Sequence, residues 1–175
     1  MIKTTRLILR EWRESDFAPF SEMNACARVC EFLPKKLSRE ESDAMVQRLQ
    51  AHIGTHGYGF FVVELEETGE FIGFTGLKHT DFDAPFTPAV EIGWRLSSSH
   101  WGKGYAPEAA KAALAYGFEQ VGLNEIVSFT VPDNTKSRRV MKKIGMGRDM
   151  DGDFMHPGLP DGHPLQRHVL YRIGK

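Results

Sequence analysis

Apolar positions recur along this chain with two periods, and the switches between them set out an order of elements. Over residues 5–12, Leu7 and Leu9 alternate with Ile8 and Arg10, the period-two mark of a strand. Ser15 and Asp16 then offer caps for a helix carrying Phe17, Phe20 and Met23. Ser38-Arg39-Glu40-Glu41 forms a capping box, and Met45, Val46, Leu49 and Ile53 share one face behind it, which predicts a helix over 39–52 ended by Gly54 and Gly57. Residues 58–65 and 70–77 are rich in aromatic and β-branched side chains and flank Glu66-Glu67-Thr68-Gly69, the pattern of an antiparallel hairpin. The proline- and phenylalanine-containing stretch 81–88 reads as a loop, 90–96 as a further strand, and Ser97-Ser98-Ser99 as its end.

The second half repeats the alternation. Pro107 fits a first helical turn, and Ala110, Ala113, Leu114, Gly117, Phe118 and Val121 continue at helical spacing until Gly122. Residues 125–131 are β-rich, and Asn134 caps a short helix with Val140, Met141 and Ile144, ended by Gly145. A Gly/Pro/His-rich stretch, 147–164, separates that helix from a last strand over 167–173. Neither repeats nor linkers interrupt the pattern. The expected fold is α/β (α+β by some schemes): a single domain over 1–175, with a mixed, mostly antiparallel sheet of six to seven strands and helices on both faces.

Composition narrows the class. At 175 residues, 41% hydrophobic and 26% charged, the chain has the makings of one ordinary globular core. Lys+Arg 22 against Asp+Glu 23 leaves a charge of −1, without the basic field that drives binding to nucleic acid or anionic membranes. No stretch reaches the ~20 apolar residues of a membrane span, and the start lacks a secretory h-region, so a cytoplasmic location is expected. Cys26 and Cys30, four apart, predict two free thiols on one helical face. His156, His163 and His168 match no zinc spacing, and no metal is expected.

Candidate chemistry lies at residues 101–108, Trp-Gly-Lys-Gly-Tyr-Ala-Pro-Glu, between a strand and the strongest helix. Glycines let successive N–H groups converge, and the helix adds its free amides and positive dipole end, which suits a phosphate or pyrophosphate. A Walker A loop would place Lys103 after the second glycine with Ser or Thr behind it, and a dinucleotide fingerprint would need a small residue in place of Pro107; neither fits. A second segment, residues 131–146, follows the next strand with Asn134, Ser137 and a run of basic residues.

Together the two segments resemble the GNAT superfamily of N-acetyltransferases, and the strand order agrees. Arg6-Leu7-Ile8-Leu9-Arg10 and Ala89-Val90-Glu91-Ile92-Gly93-Trp94 look like the branch that contains ribosomal-protein N-terminal acetyltransferases, and the likeness spans roughly residues 5–146. The resemblance implies acetyl-CoA as co-substrate. Backbone groups at Leu96 and Ser98 are then expected to hold the pantetheine arm and the amides of Gly102, Lys103, Gly104, Tyr105 and Ala106 the pyrophosphate, with Asn134 and Ser137 beside the cofactor. It also implies a bulge in the 90–96 strand that splays it from 125–131. Trp101 stands where many relatives carry Arg or Gln, Lys103 and Arg138 offer added charge, and the 147–164 stretch departs from the ribosomal-protein enzymes.

The implied reaction is direct attack of a neutral amine on the thioester, with an oxyanion stabilised by a backbone donor and the coenzyme thiolate as leaving group. Glu91 is the candidate base and Ser137 the candidate acid, with Tyr105 and Tyr171 behind it; Glu11, Trp12, Phe32, Trp94 and the 82–86 loop are candidates for the acceptor. An α-amine, with a reference pKa of about 7.7–8.0, is partly neutral at cellular pH, whereas lysine at about 10.4 needs a depression worth about 4 kcal/mol. No carboxylate cluster is evident for that task. A protein or peptide N-terminus is therefore the favoured acceptor of a monomer or homodimer, with small amines such as polyamines, amino-acid conjugates or antibiotics as the alternative. A non-catalytic acyl-CoA sensor and a magnesium-dependent nucleotide binder are the competing classes.

Overall fold

In a computed structural model, which describes residues 1–175, the elements run β1 (Ile2–Lys3), β2 (Leu7–Arg10), α1 (Phe17–Ala25), α2 (Arg39–His56), β3 (Phe60–Leu65), β4 (Phe71–Thr80), β5 (Ala89–Leu96), α3 (Tyr105–Tyr116), β6 (Glu125–Thr130), α4 (Thr135–Lys143), β7 (Gly147–Met155) and β8 (Arg167–Gly174). All eight strands lie in one sheet, in the order β1-β2-β3-β4-β5-β6-β8-β7. Every junction is antiparallel except β5–β6, which is parallel. No helix is long and apolar enough to cross a membrane.

Strand alternation sends side chains to two cores. Leu9, Val63, Ile72, Ile92 and Ile126 pack under α3, whose small residues Ala109, Ala110 and Ala113 let it lie close to the sheet, together with Met141 of α4. On the other face Val62 and Phe74 meet Phe20 and Met23 of α1, Val46 and Leu49 of α2, and Trp12. Helices therefore cover both faces, as the sequence predicts. At Gly73 in β4, φ is +143° and an added Cβ would lie 2.1 Å from the Arg95 carbonyl oxygen, so only glycine lets β4 run this close to β5.

The differences from expectation are local. The capping box forms, with Glu41 N–H donating to Ser38 Oγ at 3.2 Å and Ser38 N–H to Glu41 Oε2 at 2.9 Å. However, α2 continues to His56: Gly54 faces open space inside the helix, and only Gly57, at φ +74°, stops it. Cys26 and Cys30 do not share a helical face, because α1 ends at Ala25 and Cys26 is extended. Both thiols are free, and Cys30 donates to the Asn24 carbonyl at 3.0 Å. Strands β1 and β7 are additional to the six to seven expected. Residues 147–155 carry aspartates and glycines that disfavour strand, yet they pair with β8 as a sheet edge whose charges are matched across the strands: Arg172 Nε lies 2.7 Å from Asp149 and Arg167 2.9 Å from Asp153.

One buried charge cluster ties β2, β3 and the start of α1 together. Arg10, 5% exposed, donates from both terminal nitrogens to Asp16 at 2.7 and 2.8 Å and from Nε to Glu64 at 2.6 Å. Removing the cation leaves two carboxylates buried without it. Arg10→Leu is expected to lower the unfolding free energy by about 3–5 kcal/mol, measured by urea denaturation, and a loss below about 1 kcal/mol would contradict the assignment.

Candidate active site

The parallel junction is where the sheet opens. Between β5 and β6 only Glu91 and Val127 are in register, while β5 stays paired to β4 from Ala89 to Leu96 and β6 stays paired to β8 from Glu125 to Thr130. Each strand follows its outer neighbour and the two part. The expected bulge in β5 is not seen in its pairing with β4, which is continuous; the splay comes from the lack of a shared ladder. At the vertex Ser128 Oγ donates to the Ile92 carbonyl at 2.9 Å, satisfying one backbone group that the missing ladder would leave unpaired.

The opening is a cleft of about 770 Å³. At its outer end Gly102, Gly104, Tyr105 and Ala106 form the wall, with Gly102 at φ +80° and Gly104 at φ +84°, and α3 begins at Tyr105. Free amides and the positive end of the helix therefore face the cleft. Arg6, at the start of β2, fixes this loop: it donates to the Lys103 carbonyl at 3.0 Å and, through Nε, to Glu108 of the first helical turn at 2.8 Å, while Glu108 also accepts from Thr4 Oγ1 at 2.7 Å. The Arg6 and Thr4 bonds hold the Glu108 carboxyl below its usual range despite partial burial.

The wall includes some predicted residues and omits others. Leu96 lines the cleft, and its carbonyl accepts from the Trp101 indole at 2.8 Å. Ser98 and Lys103 are not brought to the wall; Ser98 Oγ lies 3.9 Å from Cys26 Sγ. Trp101, in place of the family's Arg or Gln, has Lys136 Nζ 4.6 Å and the Arg28 guanidinium 5.5 Å from its ring centroid, so it gathers two cations rather than supplying one. Arg138 points instead to the Pro132 carbonyl at 2.8 Å and the Tyr171 hydroxyl at 3.2 Å, and Tyr171 is fully buried and does not line the cleft.

At the N-terminus of α4, Asn134 Oδ1 accepts from the Ser137 amide at 3.2 Å and Asn134 Nδ2 donates to Thr130 Oγ1 at 3.0 Å. Both polar groups of Asn134 are engaged in joining helix to strand. The cap uses the amide of Ser137, which leaves its hydroxyl to the cleft. Glu91 lines the inner end, where burial pushes its carboxyl up against the opposing pull of Lys78, whose Nζ is 3.7 Å away. Thr80, beside this pair, has a buried hydroxyl near the Glu91 carboxyl without a well-formed hydrogen bond.

Phe32 lines the cleft from the α1–α2 connection. Trp94 lines it too, but packs against the core under α3, on the opposite face of β5 from Glu91. Glu11 and Trp12 lie elsewhere, at a separate hollow beside α2, and Trp12 is a core residue that donates to the Phe60 carbonyl at 2.7 Å. Their candidacy is corrected on that ground.

Several wall residues are absent from the sequence-based set. Lys136, Arg139 and Lys143 of α4 bring cations to the cleft, a signal present in the helical spacing of that basic run. Arg95, the next residue but one after Gly93 on β5, lines it from the α1 side. His156 and His168 meet with ring centroids 5.1 Å apart among Phe82, Phe129 and Phe154, so the 147–164 stretch reaches the site. Burial lowers the pKa of both histidines. His168 Nδ1 faces the Gln166 carbonyl at 3.0 Å and so carries the proton, which leaves Nε2 as a lone pair.

An amide cradle at one end of a parted parallel pair, with titratable groups at the other, is the arrangement that the resemblance to N-acetyltransferases implies. Residues 6–147 match the profile of the acetyltransferase (GNAT) domain. An uncharacterised N-acetyltransferase of Bacillus subtilis, YnaD, is 33% identical over 174 residues, covering 98% of this chain and 95% of the relative. A GNAT-family acetyltransferase from Bacillus anthracis superposes with a TM-score of 0.82 at 29% identity, over 99% of this chain and 97% of that one. An acetyltransferase from Agrobacterium tumefaciens superposes with a TM-score of 0.80 at 31% identity, over 99% and 94%. The chain belongs to the GNAT family and is an acetyl-CoA-dependent N-acetyltransferase.

Two expectations follow. Arg6→Ala frees the Lys103 carbonyl and should weaken acetyl-CoA binding about fivefold, the equivalent of about 1 kcal/mol for a half-exposed ion pair, measured by calorimetry against an unchanged fold. His52, His156 and His168 all titrate below the ordinary histidine value of 6.5 because burial disfavours their charged forms. Below about pH 6.5 the unfolded chain then binds more protons than the folded one, so stability falls as pH drops through that value. The melting temperature should decrease from pH 7.5 to 5.5, and His168→Gln should flatten the decrease; an unchanged slope would refute the burial argument.

Proposed function

We propose that the protein transfers an acetyl group from acetyl-CoA directly to a primary amine of low pKa, most simply a protein or peptide N-terminal α-amine. The observation that carries this reading is the single cleft that joins the 102–106 amide cradle to Glu91 through the gap between β5 and β6. A pantetheine arm is an extended chain with two amides, and it suits a gap whose facing strand edges lack partners. The thioester then falls where the strands part, and the amine approaches from the α1–α2 side. Glu91, through water, takes the proton that leaves the attacking nitrogen. A β5 N–H stabilises the oxyanion, and the Ser137 hydroxyl donates its proton to the departing sulfur.

The charge of the cleft argues against a polyamine. Its two wall carboxylates are both paired, Glu91 with Lys78 at 3.7 Å and Glu31 with Lys136 at 3.6 Å, while Arg28, Arg95, Arg139 and Lys143 add positive charge. Arg28, Lys136, Arg139 and Lys143 belong to the cofactor end, so what bears on a polyamine is the inner end, where Arg95 and the already paired Glu91 offer it no free carboxylate.

Ser137→Ala should lower kcat about 100-fold with the KM for acetyl-CoA nearly unchanged, since a positioned general acid contributes roughly 10²–10⁴. Thiol release from acetyl-CoA against a panel of peptide N-termini and small amines measures it. An intact kcat would remove Ser137 from the chemistry, and acetyl-CoA binding without turnover of any amine would favour a sensor.

A further inference from the structure

On β5, Glu91, Gly93 and Arg95 face away from the core under α3, toward the α1–α2 side from which the acceptor approaches. Arg95 is the last of them. It donates from Nη1 to Asn24 Oδ1 at 2.6 Å, and its guanidinium lies 5.4 Å from the Phe74 ring centroid. Asn24 is fully buried, and its Nδ2 donates to Ser42 Oγ at 2.9 Å, so its oxygen is held toward Arg95. The arginine is thus built into place from behind. No carboxylate faces it; the one ionisable group that acts on it is the Cys30 thiol.

A guanidinium has five N–H donors, and a desolvated cation costs several kcal/mol unless an anion meets it. Burial pulls the Arg95 pKa down to about 10, which leaves it charged at neutral pH. Arg10, which is more deeply buried than the half-buried Arg95, has two carboxylates of its own. Arg95 has none, and its unused nitrogens are not sealed from the cleft. Structural pairing therefore does not account for it.

We propose that Arg95 is the acceptor's anion-binding residue, so that the amines acetylated here carry a carboxylate. This rests on the acceptor approaching from the α1–α2 side as argued above. Glu91 and Arg95 are four residues apart on one strand, about 13 Å between Cα atoms at a rise of about 3.3 Å per residue. Both line the same cleft, so an acceptor lying along β5 can set its amine toward Glu91 and its carboxylate toward Arg95. A free amino acid or short peptide meets that description, and so does a longer peptide with an acidic residue near its N-terminus. The hydrophobic wall of Val29, Phe32, Leu33 and Phe60 around the same space suits an apolar body between the two polar ends.

The test is steady-state thiol release by the full chain with matched acceptors: phenylalanine against phenethylamine, a dipeptide against its C-terminal amide, and a Glu-containing pentapeptide against its Gln counterpart. The expected result is a preference of tenfold or more in kcat/KM for the carboxylate member of at least one pair, which also identifies the source. Arg95→Gln should erase that preference by raising the acceptor KM while leaving the acetyl-CoA KM within twofold, and Arg95→Lys should retain part of it. Equal use of both members by the native protein overturns the proposal without any variant. So does a preference that survives in Arg95→Gln, or a change confined to the acetyl-CoA KM, which would assign Arg95 to the pantetheine arm. Turnover of none of the carboxylate-bearing amines, while acetyl-CoA still raises the melting temperature, overturns the acceptor class alone. Loss of that thermal shift in the native protein would instead strike at the acetyl-CoA site.

Discussion

The structure turns on one junction. In a sheet that is otherwise antiparallel, β5 and β6 run parallel and share a single residue pair, Glu91 and Val127, before each strand follows its outer partner away from the other. Backbone N–H and C=O groups cannot stay buried without partners. A sheet that parts must supply them or admit a ligand, and here Ser128 Oγ covers one carbonyl at the vertex and the rest of the gap is left open. The same alternation that sends Ile92 and Leu96 into the core under α3 sends Glu91, Gly93 and Arg95 to the other face, where they line the cleft.

Charge is distributed to match. The chain is nearly neutral, at −1, yet the cleft is not. Arg6 and Glu108 neutralise each other behind the glycine loop, which leaves the amides and the helix terminus to act on an anion in front. Lys136 lies over the Trp101 ring beside Arg28, and Arg139 and Lys143 follow on α4. A cofactor carrying several phosphate charges meets an excess of cations there, while the inner end holds only the paired Glu91 and Lys78 and two histidines that burial keeps neutral.

Local signals made much of this legible from sequence. The Ser38–Glu41 box, the Asn134 cap, the glycines of 102–104 and the hairpin at 66–69 each act within a few residues, and each appears where the sequence places it. What escaped depends on distant partners. Residues 147–155 become a strand by pairing with β8, where Arg167 and Arg172 reach diagonally to Asp153 and Asp149. Trp12, a candidate for the acceptor on sequence, becomes a core residue because Phe20 and Phe74 enclose it, with ring centroids 4.9 and 6.3 Å away. Nothing in the strand pattern singles out Arg95, and only the arrival of Asn24 from α1 shows that its side chain is held in place. Polar residues within a strand carry no marker of whether their partner is water, protein or substrate.

Acceptor choice therefore resides in the parts with the weakest sequence signal. On the proposed reading the cofactor is held by backbone amides, which any sequence able to make the turns will provide. The space proposed for the acceptor is lined by the α1–α2 connection and by His156 and His168, with the 81–88 loop packed against His156 through Phe82. Phe82 stacks at 5.9 Å on Phe154 and lies 4.8 Å from His156, while Phe129 meets His168 at 6.0 Å. These rings bind the two loops to the open half of the sheet, so the shape of the acceptor space is set by aromatic packing between loops rather than by the sheet itself. A change in either loop can alter that shape while β5, β6 and the glycine loop keep their geometry. The same division lets acetyl-CoA use be argued from short motifs while the acceptor has to be argued from side chains brought together by the fold.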